Sequence, residues 1–431
     1  MQRRNIIWLF LLSCSAAFPA FSAFSLEGDV SLDVIPNALR PGGIDSQVHF
    51  RSGEGTCFSA LGFGPDCSGS VGWLGDSWSR SCNASYLGNW TKGSGICIGN
   101  ATSTVHFPGG RSGALLFAQN DSHILFGGFG SGRTKTKYEG KLADAWLWDG
   151  FSWNFVVESP PDIEAVGRYG TLGVEDSSNW PGGRVGSVTW NDGDSQYIAL
   201  GWGLTDAPGA RGGLSDVWKV RLVNGSTLLW TWVYGPKTLN NLPSEQMISG
   251  RYGACSWFNE LTSCFFSFGG FGWDSNHNLG HLGDMYSFCS DESGWRRLSS
   301  GPTIGNLSPT YGKLGIEKAS NFPGGRYGSI ALPAVANDLE NLYFFGGSLS
   351  SGENYADVWR FNVKSYMFTW VGGPQGTGFL GNKTWPSGRY GSNVFRLDNF
   401  SFLFSNGFGH GLRNGKQDVG GLSDWWLFEK K

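Results

Sequence analysis

The chain has 431 residues, with 32 Lys and Arg against 35 Asp and Glu, a net charge of −3 and only 16% charged residues. That balance excludes nonspecific nucleic-acid binding, which needs a large basic excess to displace phosphate counterions. The length allows a large core, and 68 Gly beside 21 Trp and 31 Phe point to short strands joined by tight turns.

Arg3 and Arg4 precede the apolar run IIWLFLL, and small residues follow in SCSAAFPAFSAFS. This is the pattern of a cleaved signal peptide over residues 1–25, with Ser22 (after Ala20) and Ser25 (after Ala23) as the cleavage points. An uncleaved anchor is the competing reading, but the run is too short to cross a ~30 Å hydrocarbon core. No later segment is long and apolar enough to span, and the C-terminal DWWLFEKK is neither a lipid-anchor nor a retention signal. The expectation is a secreted or secretory-pathway lumenal protein.

Eight N-x-S/T sequons agree with that compartment: Asn83, Asn89, Asn100, Asn120, Asn224, Asn306, Asn382 and Asn399. Pro309, just after the Asn306 sequon, weakens that one. With Cys14 removed, seven cysteines remain. Cys57, Cys67, Cys82 and Cys97 allow the local pairs Cys57–Cys67 and Cys82–Cys97. Cys255, Cys264 and Cys289 form a second group with one left over, Cys264 and Cys289 being the candidates. None has C-x-x-C metal spacing, so disulfides are the expected state.

A period of 63–75 residues runs through the rest of the chain. Its units start at Pro41, Pro108, Pro181, Ile248, Pro323 and Pro386, with the phrases PGGIDS, PGGRSG, PGGRVG, ISGRYG, PGGRYG and PSGRYG. Each unit continues with a short β-pattern, then an apolar run ending in glycines, such as LFGGFG or SFGGFG. A phrase of the type L-x-D-x-W follows at Leu74, Leu142, Leu214, Leu282, Tyr355 and Leu422. A Trp-bearing segment closes units one to five, at Trp90, Trp153, Trp230 with Trp232, Trp295 and Trp370. Four strand signals per unit make one propeller blade.

Two connections are nearly the same. YGTLGVEDSSNWPGGR (Tyr169–Arg184) and YGKLGIEKASNFPGGR (Tyr311–Arg326) share eleven of sixteen residues. Both lead from the last strand of one unit into the first of the next, with Trp180 or Phe322 placed to pack on a neighbouring blade. The sixth unit ends at Lys431 without a fourth strand, and LEGDVSLDVIPN after the leader is expected to supply it. That would pair the two chain ends and leave no open edge.

The phrases PGGRYG, FGG, L-x-D-x-W and W, in six register-matched copies, resemble the kelch repeat. Unit one departs with Ile44 in place of Arg, unit three with GWG and unit six with SNGFG. The resemblance implies an all-β, six-bladed propeller over residues 26–431, with four antiparallel strands per blade. It implies no single activity: the family includes interaction modules, sugar-isomerising proteins and a copper oxidase.

In such a fold the links from second to third strand and from blade to blade share one face, and here they are long. The five equivalent arginines, Arg111, Arg184, Arg251, Arg326 and Arg389, are expected on that face around the channel mouth. The resemblance suggests that they bind acidic groups, for which a guanidinium fork is suited. The competing reading is that each is architectural, paired with an Asp. His277, His281 and Asp274 are the nearest approach to a metal set, though the loop sequence HNLGH favours neither a helix nor a site. NDGDS at Asn191 lacks the Glu of a calcium loop and reads as a hairpin. A copper-radical site needs residues from a domain after the propeller, and no such domain is expected here. No nucleophile elbow or phosphate loop occurs, and no cofactor is expected.

The function expected is a protein- or glycan-binding module acting through the long-loop face. The alternatives are a sugar-acting enzyme such as a sialic-acid-type mutarotase, with Glu175 and Glu317 as acid–base candidates near the mouth, or a structural extracellular component.

Overall fold

The computed structural model describes the backbone of the strands between residues 24 and 96, and residues 108–429 apart from short stretches, the longest being 133–138. No helix occurs among the described residues. Four-stranded antiparallel sheets repeat along the chain instead, those of units two to five each from one sequence unit. In unit three the order is Val188–Asn191, Gln196–Ala199, Val217–Val223 and Thr227–Tyr234, every neighbour in sequence being a neighbour in space. Units two, four and five repeat this meander, and unit one adds a short extra hairpin strand, Tyr86–Leu87.

The sixth unit draws on both ends of the chain. Asn393–Arg396, Ser401–Ser405 and Trp425–Glu429 form three strands, and Phe24–Leu26 pairs outside the last of them. The register is Phe24 opposite Phe428 and Leu26 opposite Trp426. An N-terminal segment thus takes the outer position; it begins at Phe24, inside the residues 1–25 read as leader, and the expected segment LEGDVSLDVIPN beyond Leu26 lies outside the described residues.

First strands of successive units lie beside one another. Leu115–Gln119 neighbours Val188–Asn191, and the series continues through Cys255–Asn259, Ile330–Leu332 and Asn393–Arg396 to Val48–Arg51. This is the radial arrangement of a β-propeller, with the first strand of each sheet innermost. A backbone chain links these inner ends. Gly186 N–H donates to Gly113 O (2.9 Å), Gly253 to Gly186 (2.9 Å), Gly328 to Gly253 (2.8 Å) and Gly391 to Gly328 (3.0 Å). Each is the glycine of an R-x-G phrase, each has φ between 60° and 65°, and Gly113, Gly186, Gly253 and Gly328 each lie against the x residue of the next unit. Only glycine combines that backbone with that approach without strain.

The core fills the gaps between adjacent sheets. Trp190 stacks on Phe265 at 4.1 Å across units three and four, and Phe268 meets Phe344 at 4.7 Å across units four and five. Trp146, Trp180, Trp218, Trp230, Trp295, Trp359 and Trp426 are all fully buried. Side chains that alternate between sheet faces put one set into each gap, which is why aromatics recur at the strand period.

The twin connections prove to be edge covers. In the first, Gly173 N–H donates to Trp232 O (2.8 Å) and the Asn179 amide to Trp230 O (3.1 Å), both on the outer strand of unit three. In the second, Gly315 N–H donates to Trp370 O (2.9 Å) and the Asn321 amide to Phe368 O (3.0 Å), on the outer strand of unit five. Covering an outer strand in this way removes a row of unpaired carbonyls from solvent. Trp180 reaches back to unit two, donating to Ala143 O at 2.7 Å.

Candidate functional site

The motif arginines are 0–1% exposed, and each guanidinium is engaged by the aspartate of its own L-x-D phrase. Arg111 pairs with Asp144, Arg184 with Asp216, Arg251 with Asp284, Arg326 with Asp357 and Arg389 with Asp424. The Arg184 pair is bidentate at 2.9 and 2.8 Å. A further N–H of Arg111, Arg251 and Arg326 reaches the carbonyl of the glycine run (3.0, 3.0 and 2.9 Å). The same aspartates accept the indole N–H of Trp146, Trp218, Trp359 and Trp426 at 2.7–2.8 Å. In units three and five a tyrosine from the twin connection joins: Tyr169 donates to Asp216 (2.7 Å) and Tyr311 to Asp357 (2.9 Å).

Burial alone would push the Asp216 carboxyl up. The Arg184 guanidinium, with help from Trp218 and Tyr169, outweighs this and holds it below the usual carboxylate range. The phenols of Tyr169 and Tyr311 are pushed up, by burial first and then by the facing carboxylate. This pairing is the competing, architectural arrangement of the five arginines rather than the ligand-facing one. They do sit at the start of the innermost strands, but inward, tying the first strand of each sheet to the third.

Glu175 and Glu317 are engaged as well. Glu175 pairs with Arg221 at 2.6 Å and Glu317 with Arg360 at 3.4 Å. Both partners lie on third strands beneath the edge covers, away from the inner strands. Asp274 is turned to backbone, accepting N–H groups of Asn276 (2.9 Å), Asn278 (2.8 Å) and Gly305 (3.1 Å). Among the described residues no group of three His, Cys, Asp or Glu is placed to hold a metal. NDGDS joins two paired strands, Val188–Asn191 and Gln196–Ala199, as a hairpin.

Cys264 and Cys289 form a disulfide directly across paired strands, with Cα atoms 4.1 Å apart, and Cys255 keeps a buried free thiol. The side chains of Cys57 and Cys82, and the whole of Cys67 and Cys97, lie outside the described residues, so neither N-terminal pair is described. Of the sequons, Asn224 sits exposed at a hairpin and Asn382 exposed in a turn. The Asn306 side chain accepts His281 N–H at 2.9 Å. Asn89, Asn100, Asn120 and Asn399, and the side chain of Asn83, lie outside the described residues.

The same inner ends carry a feature that motif reading passes over. In units two to six, three positions align across short ladders at the long-loop face: the residue after the motif arginine, the residue after the glycine run, and the residue three before the aspartate. The rows are Ser112–Phe129–Lys141, Val185–Trp202–Gly213 and Tyr252–Phe271–His281. Tyr327–Ser348–Asn354 and Tyr390–Phe408–Gly421 follow.

Rings in neighbouring rows touch. Trp202 lies 5.9 Å from Tyr252, Tyr252 5.4 Å from Tyr327, and Tyr327 5.3 Å from Tyr390. Within rows, Tyr252 meets Phe271 at 5.7 Å and Tyr390 meets Phe408 at 5.6 Å. Trp202, Tyr252, Phe271, Tyr327, Tyr390 and Phe408 are each half-buried. The result is an aromatic arc around the mouth, with its charged groups already paired beneath it. The signal was in the sequence: Tyr follows the motif arginine in three units, and Phe or Trp follows the glycine run in four of units two to six.

Such a chain belongs, by fold, to the β-propellers. Among solved structures it is similar to YjhT, with a TM-score of 0.52 over 92% of this chain and 97% of that one, at 13% identity. At that identity the likeness carries the fold alone. No known family profile and no curated protein matches the sequence.

Proposed function

We propose that this chain is a secreted, kelch-type propeller of six blades, closed by its N-terminal strand, that binds neutral glycans through the aromatic arc. The arc is the observation that carries the reading. Half-buried rings keep a face or edge in solvent while their bodies are fixed by packing, so binding costs little ordering. The C–H face of a pyranose suits the negative π-face of such rings. The five motif guanidiniums are engaged by aspartates, which removes them as receptors for an acidic partner and favours an uncharged ligand. Eight sequons, a leader-like N-terminus and a disulfide support the secretory compartment.

The test is a glycan array probed with the secreted chain beside Tyr327→Ala and Tyr390→Ala. Saturable binding weakened about tenfold in either variant is expected, since an aromatic contact contributes about 0.5–1.5 kcal/mol beyond the area it buries. Binding untouched by both substitutions removes the arc from the site. Turnover of a bound sugar would move the protein to the enzyme reading.

A further inference from the structure

One row of the arc differs from its neighbours. Ser348 stands where units two, three, four and six carry Phe or Trp, and its ladder partner is Asn354. Asn354 is 0% exposed, yet neither its Oδ1 nor its Nδ2 has a hydrogen-bond partner. Across the boundary to unit six, His410 is 6% exposed and its Nδ1 is also without a partner. The two residues are in contact: Asn354 N–H donates to His410 Nε2 at 3.4 Å. Because Nε2 accepts, the proton of the neutral ring sits on Nδ1. Burial lowers the His410 pKa and keeps the ring neutral near pH 7.

Comparison between units explains why these atoms lack partners. In units three and four the equivalent backbone N–H groups, of Gly213 and His281, donate to the side-chain oxygens of Asn240 (2.8 Å) and Asn306 (2.9 Å). Those asparagines come from the following loop, each anchored by its own N–H to the carbonyl of the same residue. In unit five the residue anchored that way is Gly378, donating to Asn354 O at 3.2 Å. It has no side chain, and a Cβ built on it meets nothing within 4 Å. The amide has in effect moved from the loop to the strand, where it faces no protein partner.

A buried donor or acceptor left unpaired is unfavourable, so three on two touching residues mark a place for a polar group from outside the chain. We propose that Asn354 and His410 form a subsite for the hydroxyl groups of a neutral saccharide; the proposal rests on the glycan-binding reading above and refines it. The match is one of donors and acceptors. A hydroxyl oxygen accepts from Asn354 Nδ2–H while its own hydrogen goes to Asn354 Oδ1, and His410 Nδ1–H, on the side of the ring away from the Nε2 that meets Asn354 N–H, is left to donate to a second oxygen of the same sugar. A carboxylate or phosphate would face Oδ1 with no donor to give it. Seating the hydroxyl requires the strap over Asn354 to yield slightly. That strap carries Gly373, Gly376, Gly378 and Gly381, all at positive φ, and added Cβ atoms on Gly376 and Gly378 meet nothing.

The experiment is ligand-observed NMR titration of the full secreted chain with glucose, galactose, mannose and N-acetylglucosamine, followed by monodeoxy analogues of the best binder. Asn354→Leu, His410→Phe and Tyr327→Ala are run in parallel, with melting temperatures for each. Asn354→Leu is expected to weaken binding about tenfold or more, while its melting temperature holds or rises because two unpaired polar atoms are gone. One deoxy sugar should show the same loss on the wild type and no further loss on Asn354→Leu. His410→Phe gives the same binding comparison if Asn354→Leu does not fold.

Affinity unchanged in the Asn354 and His410 variants but weakened in Tyr327→Ala overturns the subsite and leaves the arc standing. A lowered melting temperature with unchanged affinity also overturns it, since that is the mark of a structural water site. No sugar bound by any form sinks both readings.

Discussion

Asp216 accepts from Arg184 twice, from the Trp218 indole and from the Tyr169 hydroxyl, all within 2.7–2.9 Å. An ion pair without exposure contributes through this completeness, because removing one partner leaves the other charge buried and unsatisfied. Arg184→Leu is therefore expected to cost about 3–5 kcal/mol in urea denaturation, with no dependence on ligand; a loss under about 1 kcal/mol would contradict the architectural role. The pH dependence has a fixed sign. The folded Asp216 carboxyl titrates below its unfolded value of about 3.9. Its contribution is present above that value and is lost as pH falls through the lower folded one. Stability should drop on acidification below about pH 4, and Asp216→Asn should flatten that part of the profile.

At the scale of the element, the twin connections explain why one phrase is written twice. Each covers an outer strand, and each needs Asn at the same place to donate two hydrogen bonds, from Asn179 to Val174 O and Trp230 O and from Asn321 to Ile316 O and Phe368 O. Asn179→Ala should cost about 1–2 kcal/mol in chemical denaturation through these lost bonds. Glu175→Ala should stay within about 0.5 kcal/mol, because the Glu175–Arg221 pair is solvent-screened. Equal effects from the two substitutions would mean that the cover is held by its charges rather than by its asparagine.

For the whole molecule, the outer strand Phe24–Leu26 gives the two processing points of the proposed leader different consequences. Cleavage after Ser22 leaves the strand intact, whereas cleavage after Ser25 removes Phe24 and Ser25 and exposes the edge of Trp425–Glu429. N-terminal sequencing of secreted protein should find Ala23 first. A chain built to start at Leu26 should melt at lower temperature than one starting at Ala23; equal melting would show that this strand does not hold the ends together.

The repeat architecture was legible from residues alone. Gly, Pro and aromatics at fixed offsets encode turns, close approaches and strand faces, and these are local demands that survive without a neighbour in view. The strand-bearing Trp153, Trp230, Trp295 and Trp370, and the Cys264–Cys289 pair, fell where that reading put them. The direction in which a side chain points was not local. Whether the five arginines faced the channel or the core depended on where Asp144, Asp216, Asp284, Asp357 and Asp424 arrived, some thirty residues away in sequence. Glu175 and Glu317 lay at the rim for the same reason, since their arginine partners sit on strands that only the folded blade brings near. The aromatic arc and the unpaired amide of Asn354 are likewise products of assembly. They arise where three short ladders from different parts of each repeat align, and where one loop offers a glycine instead of an asparagine.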